Sequence, residues 1–86
     1  MKTYPSLRRL QQFRHLSDTL NFRKSAEALR IAQPALSQHV AKLEAEVGKP
    51  LLIRTAKGVT PTENGAALHH HARFMLRQLD QALSIA

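Results

Sequence analysis

Residues 21–48 read NFRKSAEALRIAQPALSQHVAKLEAEVG, and their pattern predicts two helices joined by a very short turn. Asn21 is suited to cap the first helix, because its side-chain oxygen can accept a hydrogen bond from a backbone N–H of the first turn. Pro34 is tolerated in the first turn of the second helix, where its missing N–H would have no partner. Gly48 provides a left-handed stop for that helix. Two helices separated by roughly three residues indicate a helix-turn-helix.

The second of these helices has two very different faces. At about 100° per residue, one face is apolar and should be buried. That face consists of Leu36, Val40, Leu43 and Val47. The outward face begins with small or uncharged polar residues, namely Gln33, Pro34, Ser37 and Gln38. Glutamine can pair with adenine through two hydrogen bonds, and serine can bond several base edges. The pattern therefore favours a recognition helix, residues 32–47, that contacts bases in the major groove. The alternative is an ordinary exposed helix face.

The flanking segments complete a small domain. An apolar stripe predicts an amphipathic helix that begins after Ser6; the stripe is Leu7, Leu10, Phe13, Leu16 and Leu20. Downstream, residues 51–55 and 59–60 form two short apolar or β-branched runs around a Lys-Gly turn, which predicts a hairpin. A hairpin directly after a helix-turn-helix is a wing. The predicted fold class is mainly α: a winged helix-turn-helix with a three-helix core and a short two-stranded β-hairpin wing, followed by a long linker helix.

A last helix should begin after Thr62 and continue to the end of the chain. Its apolar residues recur close to heptad spacing. At more than 20 residues it would be over 30 Å long, at about 1.5 Å per residue, and one small domain cannot cover all of it. We therefore expect this helix to join two copies of the chain into a homodimer. The predicted dimerisation residues are Leu68, Ala72, Met75, Leu76, Leu79 and Leu83.

Charge and composition narrow the class of partner. The chain of 86 residues carries a formal net charge of +7, and residues 1–43 hold eight of its 13 basic residues but only two of its six acidic ones. Such an uneven distribution indicates a face for a polyanion. No cysteine is present, which excludes disulfides and thiolate metal sites. A secreted fold of this size would usually need such covalent staples, so a cytoplasmic protein is expected. No apolar run is long enough to suggest a membrane span.

The arrangement of polar residues gives no support to an enzyme. Ser37 and His39 are two positions apart on a helix and face different directions. His69, His70 and His71 are adjacent, so their side chains point about 100° apart and cannot converge on one metal ion. Neither a metal nor another cofactor is predicted for this stretch of chain. The serious alternatives to specific DNA binding are a winged-helix module for protein–protein interaction and a basic domain that binds DNA without sequence preference.

Three motifs resemble the DNA-binding domain of LysR-type transcriptional regulators. They are residues 21–29 (NFRKSAEAL), residues 31–40 (IAQPALSQHV) with Leu43 and Glu44, and residues 51–65, which include LLIRT and VTPTENG. The resemblance covers roughly residues 6–83. It implies residues 1–61 as a winged helix-turn-helix, residues 62–86 as a linker helix that pairs antiparallel in a dimer, and a further C-terminal domain that binds a small-molecule inducer and is absent from this chain. Full-length regulators of this kind are often tetramers.

The resemblance also implies a distribution of contacts on double-stranded DNA. Base edges would be contacted by Gln33, Pro34, Ser37 and Gln38. Arg54 in the wing would reach the adjacent minor groove. Arg23 and Lys24 would meet phosphates, and the exposed basic residues Lys42 and Lys57 are further phosphate candidates. The chain departs from the usual pattern at Ala32, where a capping serine is common, and at Gln38, which is often an arginine.

Overall fold

The computed structural model of the chain describes residues 4–85, which contain four helices and one two-stranded sheet. In chain order the elements are α1 (Leu7–Thr19), α2 (Phe22–Leu29), α3 (Gln33–Val47), β1 (Leu52–Thr55), β2 (Gly58–Pro61) and α4 (Glu63–Ile85). The two strands pair antiparallel, with Arg54 opposite Val59. This arrangement confirms the predicted fold class: a helix-turn-helix, a hairpin wing and a long final helix.

The predicted capping residues lie at the expected helix ends. The Ser6 side chain accepts a hydrogen bond from the backbone N–H of Arg9, and Asn21 does the same for Lys24. Gly48 ends α3 in the left-handed region at φ 82°. Ala32 precedes α3 without a side-chain cap. The turn between α2 and α3 passes through Arg30, which adopts φ 59° although it is not a glycine.

The core consists of two groups of buried side chains that meet around α3. One group contains Leu16, Phe22, Ala26, Leu36 and Val40, and the other contains Leu10, Phe13, Leu43 and Leu51. α3 therefore contributes to both groups through the apolar face that its spacing predicts. Val47 is the exception, since 39% of it is exposed. It lies in the last turn of α3, and the expectation that it would be buried is wrong.

α4 begins tightly against the end of the α3–β1 connection. The backbone N–H of Thr62 donates to the carbonyl of Leu51 at 3.0 Å, and the Thr62 hydroxyl donates to the carbonyl of Pro50 at 2.7 Å. Thr62 also caps the helix, accepting from the backbone N–H of Gly65 at 3.0 Å. A side-chain carbon at position 65 would lie 1.9 Å from the Leu51 carbonyl oxygen. Only glycine therefore allows α4 to approach the connection this closely.

The first half of α4 packs against its own domain, mainly against α1. Ala72 is fully buried, Leu76 is 8% exposed, and Leu68 packs beside the core group that contains Leu51. Ala72 and Leu76 thus pack on their own domain and Leu68 is half-buried against its core, so within one copy these three side chains cover α1 and the core. Their role in a dimer stays a prediction. The start of α4 coincides with the predicted boundary after residue 61, but its first half shares the core of the helix-turn-helix.

Polar contacts secure the same helices from outside the core. Arg9 on α1 forms a two-pronged ion pair with Glu46 on α3, with both N–O distances at 3.0 Å. On the other side of α1, Asp18 accepts from Arg14 at 3.0 Å and lies 2.7 Å from the imidazole Nε2 of His69 on α4. Paired Arg–carboxylate contacts add geometric specificity as well as energy. The position of α1 relative to α3 and α4 is thus fixed by both apolar and charged contacts.

We expect Gly65→Ala to lower the free energy of unfolding by at least about 2 kcal/mol, because the added methyl overlaps backbone and α4 must move. Helix propensity alone would favour the alanine by roughly 0.5–1 kcal/mol, so a loss cannot come from propensity. Urea denaturation of both proteins measures the difference, with Ala67→Gly as the control for propensity in the same turn. Equal or greater stability of the alanine variant would contradict the close approach.

The Asp18 contact predicts a pH dependence of stability. Burial raises the pKa of Asp18, but the hydrogen bonds from His69 and Arg14 outweigh that effect and hold the pKa below its ordinary value of 3.8. A lowered folded-state pKa stabilises the protein above the ordinary value, and that stabilisation is lost as the pH falls through the folded-state pKa. We therefore expect Asp18→Asn to lose less stability than the wild type on acidification from about pH 6 to about pH 3 in urea titrations. If both proteins lose the same free energy of unfolding between those two pH values, the Asp18 contact is contradicted.

Candidate nucleic-acid interface

The beginning of α3 presents the predicted base-contacting residues to solvent. Gln33, Pro34 and Gln38 are exposed, and Ser37 is half-buried. All four lie in the first two turns of α3: Pro34 and Gln38 are opposite its buried face, and Gln33 and Ser37 lie on the flank between the two. Side chains this short let the helix backbone approach a flat partner closely. The structure thus places the four residues on one small, uncharged surface.

This surface continues into a shallow cleft formed by three elements. The cleft is lined by the beginning of α2, the beginning of α3 and the wing, and it includes Asn21, Arg23, Gln33, Thr55 and Gly58. The structure therefore brings together residues that lie far apart in the sequence. A continuous surface of helix ends and hairpin is what a curved polyanion such as a duplex can contact at several points at once.

Ser25 fixes the position of α2 in this arrangement. Its side chain is fully buried between α1 and α2. Its hydroxyl lies 2.8 Å from His15 Nδ1 and 2.6 Å from the hydroxyl of Thr19, both on α1. A buried hydroxyl with several partners is satisfied only in one arrangement of the two helices. Ser25 was not among the predicted functional residues, and its place beside Ala26 in an amphipathic helix is the only sequence signal of its burial.

Glu44 connects α3 to the wing. One carboxylate oxygen of Glu44 accepts hydrogen bonds from the backbone N–H groups of Leu51, at 2.7 Å, and Leu52, at 3.3 Å. Charge-assisted hydrogen bonds of this kind are stronger than neutral ones. No local pattern in the sequence predicts this contact of Glu44. Its role here is structural: it holds the first residues of β1 against the helix whose other end meets the cleft.

Arg54 is exposed, and in the DNA-free protein its side chain lies along the inner side of the wing. Side chains alternate along a strand, so Arg54 shares the inner face of the wing with Leu52, which packs on the core. The guanidinium carbon lies 3.5 Å from the centre of the Phe22 ring, and Nη2 donates to the hydroxyl of Ser37 at 2.5 Å. Arg54 thus lies against α2 and α3 instead of extending beyond the wing. To enter a minor groove, its side chain would have to leave both contacts.

The remaining basic candidates are exposed around the cleft. Arg23 forms an ion pair with Glu27 at 3.3 Å, but about two thirds of each side chain is exposed, and such surface pairs contribute little to stability. Lys24 and Lys42 are exposed on α2 and α3, and Lys57 lies in the turn between the strands. Arg23 can therefore exchange its partner for a phosphate at small cost. Arg23 itself lines the cleft, and all four side chains are exposed.

The dimerisation candidates divide into two groups in the structure. Leu68, Ala72 and Leu76 belong to the inner face of α4, as described above. Met75 is 48% exposed, Leu83 is 66% exposed and Leu79 is half-buried. These three lie at neighbouring positions on the helix, at spacings of four. They leave an apolar strip along the second half of α4 that the domain itself does not cover.

A family model described as "Bacterial regulatory helix-turn-helix protein, lysR family" matches residues 7–66. The chain belongs to the LysR family. The match includes α1, the helix-turn-helix, the wing and the first turn of α4, and so contains the three elements that line the cleft. The LysR resemblance that the sequence motifs carry is confirmed.

Curated LysR relatives are similar over nearly the whole of this chain. The nitrogen assimilation regulatory protein nac of Klebsiella aerogenes is 56% identical over 77 residues, which is 90% of this chain and 25% of that protein. The transcriptional regulator AlsR of Bacillus subtilis is 41% identical over 80 residues, 93% of this chain and 26% of that protein. The chain thus spans about a quarter of the length of these relatives.

Solved structures show the same fold in a DNA-bound setting. The BenM DBD in its complex with catB site 1 DNA superposes with a TM-score of 0.89 at 36% identity, covering 93% of this chain and 90% of that one. The CbnR DBD–DNA complex gives a TM-score of 0.86 at 28% identity, covering 92% of this chain and 91% of that one.

Among residues 4–85, no helix is both long and apolar enough to span a membrane.

Proposed function

We propose that this chain binds double-stranded DNA with sequence specificity, as the DNA-binding part of a bacterial LysR-type transcriptional regulator. The observation that carries the proposal is the exposed, uncharged surface at the start of α3, flanked by basic residues and joined to the wing. The similarity of the chain to the BenM and CbnR domains in their DNA complexes also supports DNA binding. A protein-interaction module would not need exposed basic residues on the same elements as a small polar surface.

The residues take separate roles in this proposal. The first turns of α3 enter the major groove, where Gln33, Pro34, Ser37 and Gln38 meet base edges. The exposed basic residues hold phosphates and so fix the position of the domain; they are Arg23, Lys24, Lys42 and Lys57. The wing lies over the adjacent minor groove. Nothing in this scheme requires the chain to catalyse a reaction.

We further propose that two copies bind together through α4. The exposed apolar strip of Met75, Leu79 and Leu83 is the part of the helix that remains available to a partner. A two-fold dimer would bind an inverted repeat, since the symmetry of the site follows that of the protein. In the whole regulator we expect assembly into tetramers, a further domain that binds a small-molecule inducer, and a cytoplasmic location. Residues 1–61 then serve as the DNA-binding domain, and residues 62–86 serve as the linker helix.

Gln33→Ala should weaken binding to the cognate duplex by about tenfold while leaving binding to a scrambled duplex nearly unchanged, because a base contact is lost. The matched control is Lys24→Ala, which should weaken both alike and reduce the salt slope of log K by about one. Selection from random duplexes first defines the cognate site, and fluorescence anisotropy at several salt concentrations measures the affinities. Equal losses for Gln33→Ala on both duplexes would contradict its assignment to a base.

Leu83→Asp should shift the chain from dimer toward monomer, because it places a charge in the exposed apolar strip of α4. Phe74→Asp is the control, since Phe74 is 58% exposed but lies on a different side of the helix. Sedimentation equilibrium measures the association, and DNA titration measures the loss of bivalent binding. A dimer that withstands Leu83→Asp but not Phe74→Asp would place the interface on the other side of α4.

A further inference from the structure

Ser37 and Arg54 are joined by a hydrogen bond whose direction is fixed by chemistry. Nη2 of Arg54 lies 2.5 Å from the hydroxyl oxygen of Ser37. A guanidinium carries only donors, so the Ser37 oxygen must accept. This contact links the middle of β1 to the second turn of α3. It also lies at the surface that the proposed function assigns to the major groove.

The accepting role leaves Ser37 with a defined remaining capacity. A hydroxyl has one O–H donor and two lone pairs. Arg54 occupies one lone pair, and the positive charge beside the oxygen disfavours rotation of the O–H toward Arg54. Among residues 4–85, the Ser37 hydroxyl donates to no protein acceptor. The free O–H is therefore the group that Ser37 can offer to an external partner.

Arg54 is held in place from a second direction. Its guanidinium lies 3.5 Å from the centre of the Phe22 ring, a distance at which a cation is attracted to an aromatic face. Phe22 is itself buried in the core group with Leu36 and Val40, so the platform is rigid. The pairing of Arg54 with Val59 fixes the strand that carries it. The guanidinium is thus positioned by the core, by the sheet and by Ser37 together.

We infer that Arg54 is a positioning residue that makes the Ser37 hydroxyl a hydrogen-bond donor, so that Ser37 selects base edges that present an acceptor. In the major groove these are purine N7, guanine O6 and thymine O4, whereas the cytosine N4 amino group is a donor. The inference rests on the proposed function, because it assigns a specificity to the same surface. It differs from insertion of Arg54 into the minor groove, which would require the guanidinium to leave Ser37 and Phe22.

Selection of random duplexes, followed by sequencing, tests this with the wild type, Ser37→Ala, Arg54→Met and the double variant. Ser37→Ala identifies the base pair that Ser37 contacts, because the preference there is lost. We expect the wild type to select against cytosine at the contacted base of that pair, because the other three bases present an acceptor there, and Arg54→Met to relax this preference by about three- to tenfold, the worth of roughly one hydrogen bond. The double variant should lose no further preference at that pair.

Lys57→Met is the matched control in the same wing. Lys57 lies in the hairpin turn and its side chain is exposed, so its loss should weaken binding without changing the preferred sequence. If Arg54→Met instead alters a different, A·T-rich position and leaves the Ser37 position intact, Arg54 reads the minor groove and the inference is wrong. If the wild type enriches no sequence at all, the proposed function fails and the inference fails with it.

The DNA-free protein provides a readout that does not depend on binding. A guanidinium over an aromatic face experiences a ring-current shift, so the Nε–H resonance of Arg54 should be displaced in the NMR spectrum relative to that of exposed Arg8. Ser37→Ala should leave the protein folded and broaden or move this resonance, because one of the two restraints is gone. An Arg54 resonance at the ordinary position in the wild type would overturn the inference even if a motif is enriched.

Discussion

Leu51 is the residue on which the arrangement of all the other elements depends. Its side chain is fully buried beside Leu10, Phe13 and Leu43, which ties it to α1 and α3. Its backbone N–H donates to Glu44, and its carbonyl accepts from the backbone N–H of Thr62. That carbonyl also sets how closely α4 can approach. One residue in an irregular connection therefore links the recognition helix, the wing and the linker helix, and both of its own backbone polar groups are paired.

This constraint matters for recognition because it makes the interface rigid before DNA arrives. The wing cannot swing freely, since Glu44 holds the first residues of β1 and Arg54 rests on Phe22. A surface that is already ordered loses less conformational entropy on binding, so more of its contact energy becomes affinity. The same rigidity favours specificity. Side chains whose donors and acceptors are assigned in the free protein discriminate between base edges better than ones that can reorient.

Much of this could be predicted from the sequence, because the signals are local. Asn21, Pro34 and Gly48 act within one turn of a helix, and the apolar spacing of Leu36, Val40 and Leu43 defines the inner face of α3. The wing and the last helix are predicted from equally local signals, the Lys-Gly turn and the capping residue Thr62. Periodicity cannot show which surface an apolar stripe packs against. The stripe through Ala72 and Leu76 has the spacing of a dimer interface, but the same spacing serves a helix that packs on its own domain.

The direction of Arg54 shows the same limit on a smaller scale. A basic residue near a hairpin turn suggests an outward contact, yet strand alternation from half-buried Leu52, which packs on the core, places Arg54 on the inner face. The information was present in the sequence, but it became decisive only once the register of the strand was known. Contacts such as Glu44 with Leu51, or Arg54 with Ser37, join residues 7 and 17 positions apart. Such pairs depend on how the wing is set on α3, and that setting is determined by the tertiary structure and not by any single segment.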